Sequence, residues 1–295
     1  MSNSFVPDVL TPLEAPEFDL ALTLNSGQAF HWTKAGEGFA GTIANIPVYA
    51  EQHGASLRVT PGTESLARHY FALDHSPSEI HASFPDDPAM NASLEFCRGM
   101  RILRQPAWEC LATFITSSMK QVAHIRQMSL AIRAKFGRRV RLQGAELFTY
   151  PSTNRLAKAS EEELRECKLG FRAKNLLGTA RMIAEGAVEL ERIKTMSDTD
   201  ALAELCKLPG VGEKVANCVL LFAFERLKAF PIDVWIERVL RETYFKRKRN
   251  LTQKHLRDFS QTYFGEYGGY AQQYLFHYAR MRKNESGNHE IRKNM

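Results

Sequence analysis

Leu205-Cys206-Lys207-Leu208-Pro209-Gly210-Val211-Gly212-Glu213-Lys214-Val215-Ala216 is the stretch that decides the fold. A helix ends at Leu208 because Pro209 cannot continue it, and Gly210 and Gly212 permit a tight hairpin whose backbone comes very close to another surface. A second helix starts near Gly212. Amides exposed at its N-terminus can bind a phosphate oxygen. Carbonyls of the preceding turn, those of Cys206, Leu208 and Val211, can hold a monovalent cation that reinforces that contact. Lys214 falls in the first turn of the second helix. Its amine attacks only after losing a proton, and the positive end of the helix dipole lowers the cost of that loss.

Nineteen residues after Lys214 comes Asp233, in Ala229-Phe230-Pro231-Ile232-Asp233-Val234-Trp235. Pro231 stops the preceding segment, and Asp233 sits where the N-cap of a helix over 234–241 belongs. Alone, Asp233 reads as a cap. Paired with Lys214 it supplies an anion for the oxocarbenium character that develops at C1′ when a glycosidic bond breaks, while the lysine captures that carbon covalently.

The 295 residues carry a formal net charge of +6, unevenly spread. Residues 1–94 hold three Lys and Arg against eleven Asp and Glu, a net of −8; the remaining 201 hold 36 against 22, a net of +14. The second part is therefore where a polyanion would be held. The five cysteines, at 97, 110, 167, 206 and 218, are scattered and odd in number. That spacing suits reduced core thiols in an intracellular protein better than a disulfide framework, and without C-x2-C pairs it argues against zinc or an iron–sulfur cluster. No apolar run reaches membrane-span length and the first residues do not read as a signal peptide. The expectation is a soluble monomer, cytoplasmic or in the nucleoid of a prokaryote, nuclear in a eukaryote.

Up to about residue 60 the pattern is one of short strands, at 18–24, 29–33, 39–43, 46–51 and 55–60, punctuated by Gly27, Gly36, Gly38 and Gly54. Strands this close leave no room for helical crossovers, so the sheet is antiparallel. Helices are expected near 64–71, 76–84 and 90–101, and from Pro106 onward segments of helical period dominate, including 119–136, 144–149, 172–185, 212–224 and 268–280. The fold class is α+β. An amino-terminal antiparallel sheet domain with linking helices occupies 1–94; an all-α region occupies 95–295, its last helices returning to line a pocket.

Leu208-Pro209-Gly210-Val211-Gly212 matches the helix-hairpin-helix signature of sequence-independent DNA binding. The chain resembles the helix-hairpin-helix DNA glycosylases, and within them the 8-oxoguanine DNA glycosylases of the human type. Asn25-Ser26-Gly27-Gln28-Ala29-Phe30-His31-Trp32 is similar to the family's amino-terminal segment, and Tyr70-Phe71-Ala72-Leu73-Asp74 and Arg104-Gln105-Pro106 to its linking motifs. Leu169-Gly170-Phe171-Arg172-Ala173 resembles the segment that fills the gap left by a flipped base. The LPGVGEKVANC and PIDVW segments match the catalytic pair at the family's spacing.

The resemblance implies a DNA glycosylase that flips 8-oxoguanine out of duplex DNA, attacks C1′ with Lys214 and then cleaves the strand by β-elimination. Asp233 is its electrostatic partner. Gly27 would set a main-chain carbonyl against N7, which carries a hydrogen in 8-oxoguanine and only a lone pair in guanine. Gln272 would read the Watson–Crick edge, with Phe276 and Cys218 as the two walls of the pocket. Phe171 resembles the wedge beside the estranged base, and Arg172 would approach that base or a phosphate. Pro209, Gly210 and Gly212 belong to the phosphate-binding hairpin. No cofactor is required, and the hairpin has the carbonyls for a structural monovalent cation.

Two departures stand out. Met119 and His124 occupy positions where the family has an asparagine and an arginine that read the opposite cytosine, and Trp235 replaces a histidine after the catalytic aspartate. The basic run Lys246-Arg247-Lys248-Arg249 carries no family role. Two other functions remain open at this stage: excision of another damaged purine, which Gly27, Gln272 and Lys214 argue against, and noncatalytic DNA binding, which leaves Lys214, Asp233 and Gln272 unexplained.

Overall fold

The computed structural model describes residues 9–118, 121–246 and 250–293, with side chains through residue 283. Five strands form one antiparallel sheet: β1 (Thr11–Glu14), β2 (Thr33–Ala35), β3 (Gly38–Ile43), β4 (Ile46–His53) and β5 (Ser56–Val59), in the order β1-β5-β4-β3-β2. Two-residue loops fix the register. Ile43 pairs with Ile46 across Ala44-Asn45, and His53 with Ser56 across Gly54-Ala55. Ala44 and Gly54 take φ of +52° and +57°, the left-handed conformation such tight hairpins need. Val48, Ala50, Leu57 and Val59 then bury against Trp32, Tyr70 and Phe71, giving the sheet its own core.

Two expectations fail here. Residues 18–24 were expected to be a strand, but Leu20–Asn25 is a helix. Asp19 caps it, its side chain accepting from the Leu22 amide at 2.7 Å, and Leu20, Thr23 and Leu24 bury at helical spacing. Residues 144–149 were expected to be helical, but β6 (Arg139–Leu142) and β7 (Ala145–Phe148) form a separate antiparallel hairpin. Gln143 and Gly144 at its tip have φ of +43° and +92°, a turn that returns the chain beside itself rather than starting a helix. In addition, 29–32 makes no ladder and β1 lies outside every segment expected to be a strand.

The larger core is helical. It gathers the helices Ala107–Ser117, Val122–Phe136, Arg172–Ala184, Asp198–Leu205 and Glu213–Phe224, together with the long final helix Gly268–Lys293. No helix among the described residues is long and apolar enough to cross a membrane.

The seam between sheet and helices is polar and specific. Gln28, fully buried, donates to the Arg101 carbonyl at 2.7 Å and accepts from the Leu103 amide at 2.9 Å, while Gln105 donates to the Gln28 carbonyl at 3.0 Å. Deeper in, Arg133 pairs with Glu109 and reaches Thr42 of β3 at 2.9 Å. Burial pushes Glu109 above and His31 well below their ordinary pKa values. Removing one partner of such a pair strands a buried charge, so the two layers are held in one relative position.

Candidate active site

The hairpin forms as its sequence dictates. The helix Asp198–Leu205 ends at Cys206, Leu208 accepts from the Val211 amide at 3.1 Å, and Glu213–Phe224 begins after Gly212. Gly210 has φ +79°, and a Cβ there would lie 2.8 Å from the Asn175 side chain, so the loop presses onto the helix Arg172–Ala184. The Pro209 carbonyl accepts from the Thr179 hydroxyl at 2.9 Å. Gly212 offers no side chain to cap the next helix, whose first amides are left for an incoming anion.

These elements line a cleft of about 1020 Å³ between the hairpin helix, the start of Val122–Phe136, the Gly27 loop and the final helix. Lys214, half-buried, stands in its wall with Nζ 5.4 Å from the centre of the Phe114 ring. Cys218, one turn on and 3% exposed, lines the same cleft, and the charge of Lys214 acts on its thiol. Burial pushes the Cys218 thiol up to about 11, so it stays protonated and acts as an apolar wall.

Asp233 enters the same cleft from the other side. It caps the helix Val234–Val239, with Oδ1 accepting from the Ile236 amide at 2.9 Å. Burial raises its carboxyl pKa, opposed by that amide and by the charge of Lys214. The cap therefore holds the carboxylate in a partly dehydrated place where its charge acts strongly on anything beside Lys214.

Gln272 and Phe276 stand one turn apart on the final helix, and both line the cleft. Gln272 is 4% exposed, yet its Oε1 has no hydrogen-bond partner. Gly27 sits opposite with φ +93°, a conformation disfavoured for a side-chain-bearing residue. Its loop is pinned from the final helix, where Gln273 donates to the Ser26 carbonyl at 3.1 Å and Arg280 to the Asn25 carbonyl at 2.8 Å. Trp235 lines the cleft mouth, with the Arg238 guanidinium 5.8 Å and the Lys283 amine 5.3 Å from its ring.

The residues expected to meet the opposite strand are less closely gathered. Phe171 is 58% exposed, as a wedge requires, with the Arg172 guanidinium 4.3 Å from its ring. Arg172 itself is 4% exposed and spends its Nε on the Ser118 carbonyl at 2.8 Å, so in this state it faces inward. His124 is exposed and outside the cleft wall. Met119 lies outside the described residues, as do Arg247, Lys248 and Arg249 of the basic run. Sequence reasoning passed over Phe114, which flanks Lys214, and Gln273 and Arg280, which hold the Gly27 loop. Arg280 carried a signal in its spacing, two turns after Gln272 on the face that Phe276 shares.

Two family models cover most of the chain: "8-oxoguanine DNA glycosylase, N-terminal domain" over residues 11–111 and "HhH-GPD superfamily base excision DNA repair protein" over residues 112–263. The N-glycosylase/DNA lyase OGG1 of Arabidopsis thaliana is 30% identical over 88% of this chain and 77% of its own length. A probable N-glycosylase/DNA lyase of Methanothermobacter thermautotrophicus is 29% identical over 90% of this chain and 94% of its own. Among solved structures, the Clostridium acetobutylicum 8-oxoguanine glycosylase/lyase, in complex with double-stranded DNA carrying cytosine opposite 8-oxoguanine, superimposes with a TM-score of 0.86. It is 31% identical, across 94% of this chain and 99% of that one.

Proposed function

The chain belongs to the HhH-GPD superfamily of base excision DNA repair proteins and carries the 8-oxoguanine glycosylase amino-terminal domain, and from that premise we propose that it is a bifunctional glycosylase and lyase that excises 8-oxoguanine from duplex DNA. The observation that carries the reading is Gln272, buried in the cleft that Lys214 and Asp233 also line, with a carbonyl oxygen that no described residue satisfies. A buried acceptor without a donor is costly, and the exocyclic and ring N–H groups of a flipped guanine-type base supply donors.

In the proposed reaction the base slides between Phe276 and Cys218, with the Gly27 carbonyl accepting from N7–H and Gln272 reading the Watson–Crick edge. The neutral amine of Lys214 attacks C1′ as the bond to N9 breaks and its electron pair leaves with the base. Asp233 offsets the positive character at C1′ and O4′ in passing. The C1′ adduct opens to a Schiff base, and loss of a C2′ proton expels the 3′ phosphate by β-elimination. Both steps run on side chains of this chain.

Phe171 fills the vacated stack, and the free amides after Gly212 grip a backbone phosphate. The carbonyls of Cys206, Leu208 and Val211 form a neutral oxygen set suited to a monovalent cation that strengthens the grip. The Leu208 carbonyl is engaged once, by the Val211 amide, and keeps a second lone pair for it.

The reading is tested with two otherwise identical duplexes, one bearing 8-oxoguanine and one guanine opposite cytosine, by measuring free base released. Release from the damaged duplex alone is expected. Equal release from both, or none from either, contradicts it.

A further inference from the structure

Arg280 stands on the cleft wall in the row of Gln272 and Phe276, and its surroundings are unusual for a cation. Nη2 donates to the Asn25 carbonyl at 2.8 Å and lies 3.1 Å from His277 Nδ1. The guanidinium lies 5.4 Å from the centre of the Phe276 ring. Nη1 is buried and has no hydrogen-bond partner among the described residues. Every contact that the guanidinium makes with the described residues is neutral: burial, aided by the charge of Arg280, brings the His277 pKa down to about 4, so that ring accepts as a neutral base. Among the described residues the partners of Arg280 are Asn25, His277 and the Phe276 ring, none of them a carboxylate, and burial lowers its own pKa. A half-buried cation whose Nη1 is fully buried, idle and without an anion among the described residues is expensive to keep unless something arrives to meet it.

Its place indicates what arrives. A Cβ built on Gly27 would lie 2.8 Å from Nη1 and 3.3 Å from the Phe276 ring, so the idle donor rests against the glycine whose carbonyl is assigned to N7–H. Next to N7–H on an oxidised purine is the C8 carbonyl. An acceptor on residue 27 with a donor beside it complements the cis-lactam edge N7–H, C8=O. Guanine presents a lone pair and a C–H at the same two places and satisfies neither.

We propose that Arg280 is a second reader of the damaged base, donating from Nη1 to the C8 carbonyl oxygen and holding the negative charge that this oxygen takes as the base leaves. The inference rests on the excision reading above. When the C1′–N9 bond breaks, its electron pair passes to N9 and spreads through C8 to the oxygen as an amidate, while Lys214 forms the new bond to C1′. A cation waiting at the C8 oxygen stabilises the departing anion more than the intact nucleotide, which is the condition for accelerating the step.

The test compares the parent protein, Arg280→Met and Arg280→Lys in two single-turnover assays: base release from an 8-oxoguanine duplex, and cleavage of a duplex with a preformed abasic site. Thermal melting is followed for each. Arg280→Met is expected to slow base release about a hundredfold while leaving abasic-site cleavage within about twofold, and Arg280→Lys to recover part of the loss. The abasic substrate has no base to read, so a residue that only supports the fold or grips the DNA backbone lowers both activities together. Such a parallel loss, or unchanged base release in Arg280→Met, overturns the proposal. Gln273→Met, which removes the other tie of the Gly27 loop, gives the loss due to loop displacement alone, and an Arg280→Met loss no larger than that overturns the proposal as well. A parent protein that releases no 8-oxoguanine overturns the excision reading itself, and does so before any variant is made.

Discussion

The two sides of the cleft are built differently. On the lesion side, Gly27, Gln272, Phe276, Lys214 and Asp233 come from three distant stretches of chain, and buried contacts fix them before any substrate is present. Gln28 is fully buried and bonded at both ends of its amide, Gln273 ties the final helix to Ser26, and Asp233 is locked by the cap it makes. On the opposite-strand side, Phe171 and His124 are exposed and Arg172 is turned inward onto Ser118. A site that must place a nucleophile within tenths of an ångström of C1′ benefits from rigidity. A surface expected to meet an orphaned base can be assembled on contact, and its described residues present an exposed ring, an exposed imidazole and an inward-turned guanidinium.

The largest expected effect attacks the rigid side. Asp233→Asn should retain lesion-duplex binding and lose a hundredfold or more in single-turnover excision, because an amide can cap the helix but cannot offset positive charge at C1′. The same substitution should leave the melting temperature at pH 7 unchanged or higher. Burial raises the carboxyl pKa above its unfolded value, so the cost of ionising it in the fold is absent below the unfolded pKa and fully present above the folded one. In the parent protein excision should accordingly fall as pH drops through that raised pKa. A marked drop in melting temperature would mean that Asp233 serves the fold rather than the chemistry.

Gly27→Ala comes next. A methyl group there combines a φ of +93° with contacts of 2.8 Å to Arg280 and 3.3 Å to Phe276, and should reduce excision tenfold or more. The Arg280 and Phe276 side chains can give way, so melting should change much less. Equal rates for the variant and the parent would remove the Gly27 carbonyl from base recognition.

The loose side should show itself as tolerance. With cytosine, thymine, guanine or adenine opposite 8-oxoguanine, single-turnover rates are expected within about tenfold of one another, or ~1.4 kcal/mol. His124 offers two single ring nitrogens in place of an arginine fork. A thousandfold preference for cytosine would show that Arg172 or another group swings out and rebuilds the reader. Smallest of all, Phe171→Ala should weaken lesion-duplex binding several-fold without altering the melting temperature, since the ring is mostly in water; an unchanged affinity would dismiss it as a wedge.

How much of this was legible depended on whether the signal was local. The hairpin at 208–212 and the β3–β4–β5 meander follow from glycine, proline and alternation along a short stretch, and both could be read. The Leu20–Asn25 helix could not, because six residues with Leu20, Leu22 and Leu24 alternate like a strand, and only Asp19 as a cap argues otherwise. The 139–148 hairpin has a Gln-Gly turn that a helical reading passes over. Among the site residues, Lys214, Asp233, Gln272 and Phe276 were nominated from motifs and all line one cleft. Arg280 was not: its spacing from Gln272 places it on the cleft face, but that it lacks an anionic partner among the described residues emerges only when the final helix is set against the Gly27 loop. The inward turn of Arg172 likewise depends on a contact across 54 residues of chain.

The central claim is that the lesion side is assembled around one nucleophile. Borohydride reduction during reaction with an 8-oxoguanine duplex, followed by peptide mapping of the protein–DNA adduct, tests it directly. The account predicts a single covalent link at Lys214, absent from a Lys214→Gln variant that still binds the duplex. A link at another lysine, or undiminished trapping by the glutamine variant, would contradict it.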